Sequence, residues 1–160
     1  MNTHTISVLT ENHSGTLSRV SGLFSSRGYN ITSLTVAETE DPTVSRMTIV
    51  VGGDASILEQ IVKQLNKLVD VIKVVDFLDE PVIERELLLV RVDSTKSNRH
   101  EIVEVANIFG AGVASVASGS ITLELMGTAN RIDDFIALLK PYGIRETVRS
   151  GAVAIAKAKK

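Results

Sequence analysis

Glu11-Asn12-His13-Ser14-Gly15-Thr16-Leu17 is the stretch on which the reading of this chain turns. Thr5-Ile6-Ser7-Val8-Leu9 before it alternates as a strand does, and Leu17, Val20, Leu23 and Phe24 after it fall on one helical face. The segment therefore reads as a tight strand-to-helix loop, in which Gly15 lets the backbone approach whatever lies above it. A helix starting near Thr16 points unpaired backbone N–H groups and the positive end of its dipole into that space, which suits a carboxylate. The plain alternative at this point is an ordinary connecting turn.

Working outward, Gly28 stops the helix. Ile31 to Thr39 is rich in β-branched residues and ends at Glu40-Asp41-Pro42, a turn. Ser45 to Val51 sets Met47, Ile49 and Val51 against Arg46, Thr48 and Val50, a strand with two distinct faces. Asp54 caps a helix striped with Ile57, Leu58, Ile61, Leu65 and Leu68, and Val71 to Phe77 closes the unit with a strand. The order is βαββαβ. Asp79-Glu80-Pro81 then breaks the pattern, so the expected domains are residues 1–78 and 79–160.

The second part repeats the order. Glu86 to Asp93 reads as a central strand, and Ile102, Val105, Ala106 and Phe109 give a helical stripe closed by Gly110. Val113 to Ala117 and Ile121 to Met126 form a hairpin around Ser118-Gly119-Ser120. A helix capped by Thr128 or Asn130 carries Ile132, Phe135, Ile136 and Leu139 up to Pro141 and Gly143, and Ile144 to Ile155 supplies the last strand. The fold class expected is α+β: two ferredoxin-like units, each an antiparallel sheet with two helices on one face. The uncovered sheet faces and edge strands favour an oligomer.

Composition excludes several functions. The chain has 160 residues, 44% hydrophobic and 4% aromatic, with no Trp and no Cys. The core is therefore aliphatic, and disulfides, thiolate chemistry and Cys-based zinc sites are ruled out. A formal net charge of −2 with mixed signs gives no field for nucleic acid or anionic lipid. RNA-binding domains of the same strand order stack bases on aromatic residues, and neither Arg46 to Val51 nor Ile121 to Met126 contains one. No signal peptide or membrane-length apolar run is visible, so a soluble cytoplasmic protein is expected. His4, His13 and His100 share no ligand spacing, there is no G-x-S-x-G elbow, and neither Gly52-Gly53 nor Gly110-Ala111-Gly112 is a phosphate loop. No catalytic residue, metal site or cofactor site is expected.

Ser7-Val8-Leu9, Gly15-Thr16-Leu17-Ser18-Arg19-Val20, Gly22-Leu23-Phe24 and Arg27-Gly28-Tyr29-Asn30-Ile31 together resemble the ACT domain of the acetohydroxyacid synthase (acetolactate synthase) small subunit. The likeness continues through Ser45-Arg46-Met47-Thr48, Lys63 to Val71 and Glu84 to Val90, and so covers nearly the whole chain. The second half departs from it at Ile108-Phe109-Gly110-Ala111-Gly112, where the family commonly has a basic residue after Ile-Phe. The resemblance implies a non-catalytic regulatory subunit that stimulates a separate catalytic (large) subunit. It also implies feedback inhibition by a branched-chain amino acid, usually valine, with thiamine diphosphate, Mg and FAD held by the catalytic chain. An ACT sensor serving another enzyme is the alternative. The resemblance further implies a homodimer through the ACT domains, with effector between protomers: Asn12, His13, Ser14, Gly15, Thr16 and Leu17 of one chain facing Asn30 and Ile31 of its neighbour.

Overall fold

Strand alternation and helical stripes fold into the expected elements. In the computed structural model, which describes residues 3–78 and 80–158, the first six are β1 (Thr3–Glu11), α1 (Thr16–Ser26), β2 (Ile31–Glu38), β3 (Val44–Gly52), α2 (Ala55–Leu65) and β4 (Val71–Asp76). They build an antiparallel sheet of order β2-β3-β1-β4. Ile6, Val8, Met47, Ile49 and Val51 on its inner face pack against Val20, Leu23 and Phe24 of α1 and Leu58, Ile61 and Leu65 of α2. Leu17, placed by its spacing on the apolar stripe of α1, is instead 45% exposed and lies outside the first core.

The next elements are β5 (Val82–Asp93), α3 (Arg99–Phe109), β6 (Gly112–Val116), β7 (Ser120–Gly127), α4 (Ala129–Leu139), a short 3-10 turn (Lys140–Tyr142), β8 (Ile144–Arg149) and β9 (Val153–Ala156). The second sheet runs β6-β7-β5-β8, with β9 also paired to β5. Its core joins Leu88, Val90, Val92, Ile121, Leu123 and Leu125 to Ile102 and Ala106 of α3 and Ile132, Phe135 and Leu139 of α4. The Phe109 and Phe135 rings meet with centroids 5.1 Å apart. Both units are ferredoxin-like, as the sequence predicts.

One element departs from the sequence reading. The run from Ile144 to Ile155 is not one strand: it breaks at Ser150-Gly151, where Ser150 N donates to Leu87 O and Gly151 has φ +76°. The segment after the break packs with the first unit, so that the compact units are residues 1–83 with 152–160, and 84–151. The Asp79 part of the expected boundary lies outside the described residues; β5 begins at Val82, immediately after Pro81. The physical cause is the outer face of the first sheet. Val153 and Ala154 close over Thr35, Ala37, Arg46 and Thr48 around a cavity of about 180 Å³. Ser7 and Thr48, which point outward from the sheet, are 1% and 3% exposed, and Arg46 Nη1 donates to Ser7 Oγ at 2.8 Å. Lys157 N, bonded to Pro81 O at 2.8 Å, fastens the segment.

Asp54 caps α2 as read, its carboxylate accepting from Ser56 Oγ at 2.7 Å and Ile57 N at 3.0 Å. These bonds, the hydroxyl first and the amide second, hold its carboxyl below the ordinary range. A lowered folded pKa means that the cap stabilises fully above the unfolded carboxylate value of about 4 and is lost as pH falls through the folded value. Asp54→Ala is therefore expected to lower the melting temperature at pH 7, with the gap to wild type closing in acid; thermal melts at pH 7 and below pH 3 check it.

Candidate functional site

The β1–α1 loop is held from two sides. Glu11 N donates to Asp70 O at 2.8 Å, and Asn12 N donates to Thr43 O at 2.7 Å. The Asn12 side chain commits its Nδ2 to Glu38 Oε1 (3.0 Å) and Pro42 O (2.9 Å), which ties the loop to the β2–β3 hairpin. Asn12 is thus a clamp of the loop: neither its amide nor its Nδ2 is left over for a ligand. Gly15 takes the N-cap position of α1 with φ +85°, a left-handed conformation that a side chain disfavours, and it offers no capping side chain. Thr16 N bonds back to His13 O at 3.3 Å. The amides of Leu17 and Ser18 belong to the first turn, where no preceding carbonyl can receive them. The result is an open, positively poled helix start edged by exposed His13, Ser14 and Gly15.

Charge gathers beside it. A side chain on a helix leans toward the helix N-terminus, and Arg19 does so. Its Nε meets Asp70 Oδ2 at 2.5 Å, while its Nη1 lies 3.1 Å from where a Cβ on Gly15 would stand. Asp70 is 7% exposed and Arg19 about half exposed. His13 Nδ1 lies 3.3 Å from Glu11 Oε2. Glu11, His13 and Asp70 offer ligand atoms within 4.8 Å of one another, the donor types of a cation site. Arg19 already neutralises Asp70, however, and the helix dipole adds positive potential, so the loop favours an anion. Two hydroxyls at this end of the unit, Thr10 Oγ1 and Thr16 Oγ1, are buried without a hydrogen-bond partner among the described residues.

Asn30 is exposed and Ile31 half-buried against the first core. A single chain does not bring them to Gly15. Ile31 pairs with Val51 and Glu38 with Ser45, while Glu11 pairs with Val44 and Thr3 with Gly52. Asn30 therefore lies at the opposite end of the sheet from the loop, on the entry to an edge strand. Sequence reasoning singled out the loop but missed Arg19, Asp70 and Glu38 around it. The only local signal was Arg19, one helical turn after Gly15; Asp70 lies 51 positions further on.

The model of the acetohydroxyacid synthase small subunit-like ACT domain matches residues 6–73, and that of the small subunit of acetolactate synthase matches 85–158. The chain belongs to the acetolactate synthase small-subunit family. A probable acetolactate synthase small subunit of Archaeoglobus fulgidus is 49% identical over 157 residues, 98% of each chain. The Haemophilus influenzae small subunit is 51% identical over 156 residues, 97% of this chain and 96% of that one. The crystal structure of the Thermotoga maritima small subunit superposes with a TM-score of 0.91 over the full length of both chains at 36% identity. The chain is thus a homologue of regulatory subunits, its first unit is an ACT domain, and the β1–α1 loop belongs to that domain.

Proposed function

We propose that this small subunit stimulates a thiamine diphosphate-dependent catalytic subunit and makes it subject to feedback inhibition by a branched-chain amino acid, valine foremost. In this reading thiamine diphosphate, Mg and FAD stay with the catalytic chain, and this chain supplies no reacting group. The complex works in the cytoplasm. The observation that carries the effector site is the open start of α1, with left-handed Gly15, unpaired first-turn amides and the Arg19 guanidinium beside it. That combination suits an α-carboxylate.

The site is completed by a second copy. β2 is an edge strand, and antiparallel pairing of two β2 edges about a two-fold axis sets the Ile31 end of one chain against the Glu38 end of the other. Asn30 and Ile31 of the neighbour then approach the loop from His13 to Leu17. Asn30 suits the zwitterion because one amide both donates and accepts, and Ile31 offers apolar surface to a branched side chain. Pairing the edges also hides the open ladder of β2.

Mixing the purified chain with an acetolactate synthase catalytic subunit tests the reading: acetolactate output should rise, and valine should lower it. Absence of stimulation, or acetolactate formed by this chain alone, would overturn it. Asn30→Ala removes bonds to the effector and should weaken valine binding by about 1–3 kcal/mol, roughly ten- to a hundredfold. Calorimetry on the intact dimer checks this, and unchanged affinity would move the site elsewhere.

A further inference from the structure

The outer face of the first sheet holds a cavity that the effector site at α1 does not use. Arg46 and Thr48 of β3 alternate with core-facing Met47 and Ile49, so they point away from both helices, opposite Ala37 and Thr35 of β2. Val153 and Ala154 close over them and leave a space of about 180 Å³, all of it within the first unit. Arg46 is half-buried and donates to Ser7 Oγ at 2.8 Å, a neutral partner that is itself 1% exposed. Among the described residues no carboxylate lies within ion-pair distance of this guanidinium. A partly desolvated cation without a counter-charge favours an anion, and a guanidinium takes a carboxylate through two parallel bonds.

We propose that this cavity is a second ligand site, for a small α-amino acid whose carboxylate lies on Arg46 and whose ammonium group lies toward Glu38 and Glu40. Both of these exposed carboxylates belong to the cavity lining. They repel a bare anion and attract a cation, so the lining as a whole fits a zwitterion better than a simple acid. Ala37, Val153 and Ala154 supply the apolar wall for a short aliphatic side chain. Size sets the limit. At about 30 Å³ per water of liquid the space matches roughly six waters, hence a ligand of about six to eight non-hydrogen atoms. The site does not depend on the effector reading, because the start of α1 lies with the helices on the other side of the sheet. It does share a residue with the loop clamp: Glu38 Oε1 accepts from Asn12 Nδ2 at 3.0 Å. Glu40 carries no such duty, which makes it the cleaner position for a test.

Titration of the full-length, isotopically labelled chain with L-alanine, followed by amide chemical shifts, tests the proposal. The amides of Ala37, Thr48 and Ala154 should move, with saturation at roughly millimolar concentration. Arg46→Gln should weaken that response roughly tenfold or more, and Glu40→Gln, an exposed change that leaves the fold intact, severalfold. Propionate, which has the carboxylate but no ammonium group, should bind roughly tenfold more weakly than L-alanine. Gly15→Asp should leave the response at Ala37, Thr48 and Ala154 as it is. No movement of these amides at about 10 mM L-alanine, or movement confined to Gly15 to Arg19, overturns the site and leaves the effector reading standing. Equal binding of propionate, or an unchanged response in Glu40→Gln, overturns the assignment to a zwitterion. Loss of the response in Gly15→Asp overturns the separation of the two sites.

Discussion

Gly15→Asp is expected to lower valine affinity roughly a hundredfold or more while the chain stays folded and still stimulates its catalytic partner. The reason is geometric before it is electrostatic. Gly15 sits at φ +85°, and a Cβ there would lie 3.1 Å from Arg19 Nη1. An aspartate tolerates the left-handed region better than most residues, so the loop can survive the change. Its carboxylate would then lie against the Arg19 guanidinium and the α1 N-terminus, filling the place of the effector carboxylate from within the chain. Gly15→Ala separates the contributions: it carries the backbone cost without supplying the anion and should lose less affinity than Gly15→Asp. Calorimetric titration of valine into the three proteins decides. Wild-type affinity in Gly15→Asp would show that the effector binds away from α1.

The largest effect on stability is expected from Phe135→Ala. Phe135 is fully buried between the second sheet and α3, with Phe109 as its ring partner. Truncating such a side chain costs about 3–5 kcal/mol, a large share of the stability of a unit of this size. Phe135 belongs to the core of residues 84–151, and the first unit has a separate core of its own. Hydrogen exchange should therefore show lost protection in β5, α3, β7 and α4, with β1, β3 and α2 little changed. Equal loss across both units would mean that they unfold as one.

Much of the fold was legible locally. The alternation of Met47, Ile49 and Val51 with Arg46, Thr48 and Val50 names the two faces of β3, and Met47, Ile49 and Val51 are indeed 1% exposed or less. The Asp54 cap and the Gly110 stop follow from single residues whose chemistry acts within one turn. The Gly15 loop was visible for the same reason, because strand, turn and helix start are consecutive.

The rest depends on residues far apart in the chain. Arg19 and Asp70 meet only because α1 and the turn before β4 converge on the same end of the sheet. Asn12 reads as a free loop amide until Glu38 and Pro42 claim its side chain across the hairpin. Val153 to Ala156 has the local pattern of more β8, yet β9 packs with the first unit, where the polar face of Ser7 and Thr48 gains a cover. The amino-acid sequence by itself determined two βαββαβ units, their cores and a helix start suited to a carboxylate, since each is written in the spacing of neighbouring residues. Only the tertiary structure decided which groups surround that helix start, that Asn30 lies at the far end of the sheet from it, and where the C-terminal strand goes. Those choices are set by which distant surfaces bury one another, and no local periodicity encodes them.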